Sequence, residues 1–432
     1  MKPLFMTAHS SPLLAMGVAL AAVAGLRGTG DWATDERPKN FREYILWRNP
    51  NGTAPLFALT AKMKKETVDD PEFSWWDEPN DLVRLQVNGA VGNTAVETTI
   101  VVDSADPSTS SPTLAWGLAT HLKPGDLLMV EPSSDNATFN HEVIKVTNVI
   151  STTTFQVQRA AAGTTIGNIA NDAWLVKIGS AYAEGTGAPD STSRNPMKYS
   201  NYTQIFKDTY ELTKTAAATK VRTGDPLANE KKRKGFDHAR DIEMALLFGR
   251  KSETTGPNGK PLRTFGGIRS FIGSATTTVL TNGYTLNTVL DAVTPVFDFD
   301  TEAGDTRIVF AGNIALNRFN TLIQGQTSAA RVNFQGLSKV YGMNFNEYVI
   351  PQGRLLIKTH PLLNRHSLYR NSMFIVDPSA IKYRPLKGRD TKFEDNIQTK
   401  GEDVIRGQWL TEFGIEVRYG GLTCGYIGAW NV

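Results

Sequence analysis

Between Tyr199 and Gly249 the chain reads YSNYTQIFKDTYELTKTAAATKVRTGDPLANEKKRKGFDHARDIEMALLFG, and this stretch narrows the choice of fold more than any other. Its first part, NYTQIFKDTYELTKTA, is rich in Tyr, Thr, Ile and Phe, residue types that suit the pleated surface of a strand. A long helix follows. Asp225 is an N-cap acceptor, Pro226 fits the first helical position because its missing N–H has no partner there anyway, and Gly249 stops the run. Phe236, Ala239, Ile242, Ala245 and Leu246 recur at steps of three and four, which leaves Lys231, Lys232, Arg233, Arg240 and Asp241 largely for the other faces. One side of this helix must be covered, and one is charged.

The flanking chain says what kind of cover to expect. Between about Leu82 and Ile178 the segments LVRLQV, TTIVV, DLLMV, HEVIKVTNVI, TTFQVQ and AWLVKI are separated by Gly, Pro, Ser and Asn clusters such as KPGD and PSSDNAT. Six short strands in that space predict a small antiparallel barrel or sandwich, inserted into the surrounding mixed fold. The stretch from Gly179 to Pro196 is rich in Gly, Ser and Pro and reads as a mobile return loop. After the helix, IVFAGNIALNRFNTLIQG predicts a strand and then a helix whose Ile314, Phe319 and Ile323 face a sheet. NEYVI, RLLIKT and MFIV follow as strands, so this part reads as α+β, and IKYRPL, GQWLTEFGIEVRYGG and LTCGYIGAW return the tail to β.

Composition excludes several classes. At 432 residues with 40% hydrophobic and 21% charged content, the chain is folded and long enough for two or three cores. The net charge of +3 arises from 46 basic and 43 acidic residues, so charge alone does not announce a nucleic-acid binder. With Cys424 the single cysteine, no intrachain disulfide and no thiolate zinc site forms. The run from Pro12 to Leu26 resembles the apolar region of a secretory signal with AAVAG as cleavage site, although Lys2 alone supplies the positive flank; the competing reading is an arm that packs on a neighbouring copy or is processed. It is too short and too rich in Ala and Gly for a membrane span.

The search for catalytic chemistry returns no constellation. GPNGKP lacks the first Gly of a phosphate-binding loop, with Thr254 there, and Pro261 stands where a Ser or Thr would hold magnesium. FDFDTEAGD spaces Asp298, Asp300, Glu302 and Asp305 somewhat like a calcium loop, but its Gly falls one position late and Val309 replaces the closing Glu. His360 and His366 are too far apart for a metal pair on one helix face and read as surface or satisfied histidines. No catalytic, cofactor or metal residue is expected. Trp75 and Trp76, beside acids, suit a sugar-stacking platform, yet paired aromatics near Pro-bounded segments are more often core or interface anchors. KKRK, Lys231 to Lys234, suits nucleic acid or simply a solvated helix face, and the solvated face is favoured.

Two segments carry a family resemblance. NYTQIFKDTYELTKTAA (Asn201 to Ala217), followed by the capped helix with HARDIEMALLFG and a Gly-rich FGGI, resembles the major capsid proteins of tailed bacteriophages. VDPSAIKYRPLKGRDTKFEDNIQTKGEDVIRGQWLTEFGIEVRY (Val376 to Tyr419) is similar to the family's closing strand, polar loop and long return strand. The resemblance covers about half the chain, and the β-rich block from Leu82 to Ile178 departs from the minimal pattern.

The resemblance implies the α+β shell fold called the Johnson fold. On it, residues 1–62 are the N-terminal arm and 63–199 the extended loop carrying the inserted β-barrel or sandwich at about 82–178. Residues 200–265 and 377–432 are then the peripheral domain with its spine helix, and 266–376 the axial domain. It also implies a non-enzymatic subunit that self-assembles into hexamers and pentamers of an icosahedral head enclosing double-stranded DNA. That head is assembled in the host bacterial cytoplasm, meets packaged DNA by non-specific contact, has portal, scaffold or decoration proteins as further partners, and involves no cofactor and no membrane. Trp75, Trp76, Lys231, Lys232, Arg233 and Arg240 are the subunit-interface candidates. The rival from another class is a secreted β-rich carbohydrate- or receptor-binding protein; an encapsulin-like cargo shell would share the fold and differ in its contents.

Overall fold

The computed structural model describes residues 55–56, 65–78, 83–93, 96–103, 118–131, 141–191, 196–325, 334–340 and 343–430. The signal-like run Pro12 to Leu26, the segment FREYILWRN and most of the stretch on to Lys64 lie outside the described residues, as does PSSDNAT. In chain order β1 (Glu72–Asp77) leads to β2 (Arg84–Gln86), β3 (Glu97–Val101), β4 (Asp126–Val130), β5 (Val143–Val149), β6 (Thr154–Ala161) and β7 (Trp174–Ser180). β8 (Met197–Tyr202) then pairs antiparallel with β1. The chain thus leaves and re-enters the rest of the molecule side by side, as two strands of one ribbon.

β2 to β7 form one antiparallel sheet in the order β2-β7-β4-β5-β6-β3. Val87 and Val102 bridge its two end strands, with Asn88 N donating to Val101 O at 2.8 Å and Asp103 N to Gln86 O at 2.9 Å. The sheet therefore curls back on itself, which removes exposed edges. Its alternate residues, among them Leu85, Ile100, Leu128, Ile144, Phe155 and Leu175, fill the interior. Arg159, Glu142 and Asp126 are charged side chains buried in that wall.

β9 (Gln204–Thr213) is followed by α1 (Lys214–Ala218) and the long α2 (Pro226–Phe248), with β10 (Ser252–Thr255) and β11 (Pro261–Thr264) as a hairpin beyond it. The Asp225 side chain accepts from Leu227 N, Pro226 occupies the first turn, and the Gly249 amide closes on Ala245 O. Then come α3 (Ile268–Phe271), β12 (Thr277–Val279), α4 (Leu286–Val293), β13 (Thr306–Ala311), α5 (Asn313–Gln324), β14 (Phe334–Val340), β15 (Met343–Ile350), β16 (Gly353–Thr359) and β17 (Met373–Val376). The chain closes with β18 (Ile381–Pro385), β19 (Lys392–Glu394), β20 (Val404–Val417) and β21 (Gly425–Gly428).

Two sheets meet under α2. A seven-stranded sheet runs β12-β21-β17-β13-β16-β15-β14, and its central strands β13 and β17 alternate between two cores. Ile308 and Phe310 of β13, with Phe374 and Val376 of β17, face α2, whereas Val309, Ala311, Met373 and Ile375 face α4 and α5. In the second sheet β20 pairs with β9 from Val404↔Thr213 to Phe413↔Gln204, and on its other edge with β19 and β18. Phe206, Phe413, Ile415 and Tyr383 of this sheet join Ile242, Leu246 and Leu247 of α2 in one core. The architecture is α+β, as expected from the sequence.

Two helix faces differ from the periodic expectation. In α2 the buried residues are His238, Ile242, Glu243, Leu246 and Leu247, while Phe236, Ala239 and Ala245 are half-buried. Polar side chains take two inward positions because each finds a partner there. In α5 Ala315, not Ile314, sits inward with Phe319 and Ile323, since Ala315 stacks directly on the sheet and leaves Ile314 half-buried.

Candidate functional site

The ribbon of β1 and β8 is where the structure concentrates its non-covalent fastening. Trp75 is buried, with its indole stacked 6.0 Å from the Tyr199 ring and 6.1 Å from Phe73, and tilted against Phe271 at 5.9 Å. Strand alternation then turns its neighbour outward, and Trp76 is 64% exposed. Of the tandem pair, Trp75 fills its own chain's core and Trp76 is presented to the outside. Just upstream, Lys65 and Val68 bridge β18 in parallel at Tyr383 and Leu386, so the chain enters the ribbon as an extra strand on the second sheet.

Charge reinforces that entry. Arg384 meets Glu66 at 2.6 Å and also Glu416, which in turn accepts from Arg418 at 2.7 Å. Lys65 meets Asp390 at 2.7 Å. Burial pushes the Asp390 carboxyl up, but the Lys65 ammonium and the Tyr383 hydroxyl outweigh it and hold it below the usual carboxylate range. Burial and the Asp390 contact together push the Tyr383 hydroxyl well up, so it stays a donor. Ion pairs between partly shielded groups add more than exposed ones, and these join the segment upstream of β1 to β18, β20 and the loop after β18.

The basic candidates on α2 are dispersed around the helix. Lys231 Nζ lies 3.5 Å from the centroid of Phe393, whose ring stacks with Tyr210 and leans on Trp409. Lys232 lies 5.9 Å over Phe236, Arg233 pairs with Glu230, and Arg240 pairs with Asp237 at 2.6 Å. Lys231 packs toward the sheet, and Lys232, Arg233 and Arg240 are exposed. The structure therefore does not bring these four together as a single basic patch.

Three groupings escaped the sequence reading. His238 joins Asp208 of β9 and Thr411 of β20, each at 2.7 Å, and so bolts α2 to both long strands. Glu243, fully buried, accepts from Leu56 N at 2.8 Å and pairs with His360 Nε2 at 2.7 Å, which ties the helix to a residue far upstream and to the end of β16. The spacing of His238 and Glu243 with Ile242, Leu246 and Leu247 was the available signal, since all five share one helical face. The third is a concavity lined by Arg250, Lys251 and Arg269 beside Phe271 and Tyr369, formed where β8, the end of α2 and α3 converge. Among the described residues, no group of three or more His, Cys, Asp or Glu side chains is placed to hold a metal ion.

The arrangement offers fastening and projection, and comparison with known proteins gives it a setting. The sequence profile of the SU10 major capsid protein family matches residues 24–427. A major capsid protein of Pseudomonas phage PaMx41 is 27% identical over 422 residues, covering 94% of this chain and 92% of that one. Among solved structures, the chain is similar to one from Mycobacterium phage Bobi at 8% identity and TM-score 0.44, covering 92% of this chain and 96% of that one. A structure from Mycobacterium phage Adephagia aligns at 9% identity and TM-score 0.43, covering 94% and 99%. With the family profile spanning both sheets, the barrel and the ribbon, the chain belongs to the SU10 major capsid protein family and is a structural subunit of a bacteriophage capsid.

Proposed function

We propose that this capsid subunit assembles through its ribbon and upstream arm into the hexamers and pentamers of an icosahedral head that encloses double-stranded DNA. On this reading residues 1–62 act as the arm and 63–199 as the extended loop, which reaches over a neighbouring copy and carries the barrel. Residues 200–265 and 377–432 form the peripheral part and 266–376 the axial part. The observation that supports it most is the fastening at the ribbon's root, where Trp75 and the Glu66, Arg384 and Glu416 pairs hold β1 and β8 on the second sheet while Trp76 stays outward. A projection anchored that firmly transmits load from a neighbour into the α2 core. Assembly takes place in the host bacterial cytoplasm, with portal, scaffold or decoration proteins as further partners and DNA met by non-specific contact.

Expression of the full chain followed by electron microscopy tests this. Shells or capsomers are expected, and particles from infected cells should hold nuclease-protected DNA. A persistent monomer that joins neither, even with phage assembly proteins supplied, would sink it. DNA-free particles loaded with protein cargo would favour an encapsulin-like role instead. The secreted carbohydrate- or receptor-binding alternative finds no support in the family match.

A further inference from the structure

The concavity at the junction of β8, α2 and α3 has a volume of about 760 Å³ and carries positive charge in excess. Arg250, Lys251 and Arg269 line it with Ser200, beside Phe271 and Tyr369, and no Asp or Glu is among its lining residues. Glu72 of β1, outside that lining, comes to 3.5 Å of Lys251 Nζ and offsets one charge in part. Arg269 lies 4.5 Å from the Tyr426 ring centroid, and neither it nor Arg250 has a carboxylate partner among the described residues. By contrast Arg84, Arg240, Arg263, Arg384 and Arg406 each hold one. The turn that supplies Tyr369 also carries Arg365 and Arg370, both exposed, and the His366 ring at 4.5 Å from that of Tyr369.

These donors come from three elements held in fixed relation. Gly267 N donates to Gly249 O at 2.9 Å, and a Cβ on Gly249 would lie 2.6 Å from the carbonyl oxygens of both Ala245 and Phe265. A Cβ on Gly267 would lie 2.5 Å from Ala245 O. The two glycines let the end of α2 and the start of α3 touch backbone to backbone, and Arg250 and Arg269 follow within two residues of that contact. Lys251 Nζ donates to Ser200 Oγ at 2.5 Å, which ties the ammonium to β8. The Ser200 hydroxyl keeps its own proton, with no acceptor among the described residues.

Charge and shape together define what such a site takes. A carboxylate brings one charge and two oxygens in a plane, which a single guanidinium fork uses up. A phosphate group brings up to two charges and a tetrahedral spread of oxygens. The guanidinium groups at the end of α2 and in α3, the Lys251 ammonium and the Ser200 hydroxyl then each have a different oxygen to meet. Concave walls concentrate the positive potential, and the aromatic side chains give apolar cover to whatever carries the phosphate. We propose that the Arg250–Lys251–Arg269 cavity is a binding site for phosphate groups, carried on the backbone of duplex DNA or free in solution. The site lies within one chain, and its occupancy does not depend on shell formation.

The test titrates the full-length chain with inorganic phosphate, and separately with a short DNA duplex, in a calorimeter at fixed ionic strength. Wild type is expected to bind inorganic phosphate, and acetate at the same concentration to leave it bound. Arg250→Gln and Arg269→Gln should each weaken that binding about tenfold, the worth of one hydrogen bond between charged groups. Arg318→Gln, which removes the same charge from an exposed position on α5, should leave it unchanged. Thermal unfolding is followed for each variant. If Arg269→Gln melts early through its lost contact with Tyr426, Arg250→Gln decides, since its side chain has no partner among the described residues. Duplex binding that the cavity variants weaken more than Arg318→Gln does makes the DNA backbone the source of the phosphate. Inorganic phosphate lost in the cavity variants, with the duplex affected alike in all three, makes free phosphate the source. Acetate displacing phosphate as effectively as added phosphate does would show a site for any anion, acidic peptides included, and overturns the proposal. So does a wild type that binds neither probe, or cavity variants that match Arg318→Gln with both.

Discussion

Arg159 and Glu142 sit in the barrel wall at 1% and 7% exposure, held by a fork of 2.5 and 2.6 Å. The remaining guanidinium donors go to Gly92 O and Gly167 O, and Glu142 also accepts from the amides of Ala160 and Gly167. Burial pushes the Glu142 carboxyl up, but Arg159 and the two amides outweigh it and hold it below the ordinary glutamate range. A carboxyl lowered on folding adds stability that is complete above its unfolded value and is lost as pH falls through its folded one. Arg159→Leu leaves a buried anion unpaired and should cost about 3–5 kcal/mol in chemical denaturation near neutral pH. Acid should destabilise wild type more than Glu142→Gln, as read from melting temperatures on either side of the glutamate range. The sequence showed the strand that carries Arg159, because TTFQVQ alternates, but its partner lies at the start of the neighbouring strand, where a single-strand pattern gives no sign of the pairing. The same alternation explains why one Trp of the tandem went inward and the other outward.

At the scale of the element, α2 shows both what local pattern reveals and where it stops. Its ends were legible because capping is local chemistry: Asp225→Ala should cost about 1 kcal/mol, checked by urea unfolding. Its inward face was only partly legible. His238 finds Asp208 30 positions away and Glu243 finds His360 117 positions away, so the helical spacing that puts them on the inward face could not show the partners that let them be buried there. The C-terminal end carries a second expectation. Gly249→Ala must push two carbonyl oxygens aside and should cost about 1–3 kcal/mol in the same urea unfolding.

For the whole molecule, the order of segments carried the fold class and the family, whereas the way the sheets share α2 did not follow from it. The α+β alternation around β13 was readable, since Ile308 to Ala311 form an uninterrupted apolar run that only a strand buried on both faces explains. The closure of the barrel at Val87 and Val102 was not, because one bridge between non-adjacent strands leaves no mark in either. Replacing Phe413, which packs against Phe206, Phe265 and Tyr383, by Ala should cost about 3–5 kcal/mol and unfold both sheets in one transition in calorimetry, since they share a single core. Two separate transitions would show that α2 does not couple them.

The β9–β20 ladder also sets a clock. Arg406 and Glu211, which pair across it, are 195 residues apart in the chain. A ribosome adding roughly 5–20 residues per second needs about 10–40 s to travel that distance, during which β9 has no partner strand. The last long strand to be synthesised is thus the one that completes the bed for α2. A nascent chain released before Val404 lacks all of β20 and so cannot assemble its core. Translation itself then acts as an inspection step, admitting to the shell only polypeptides that have been read through to their final strands.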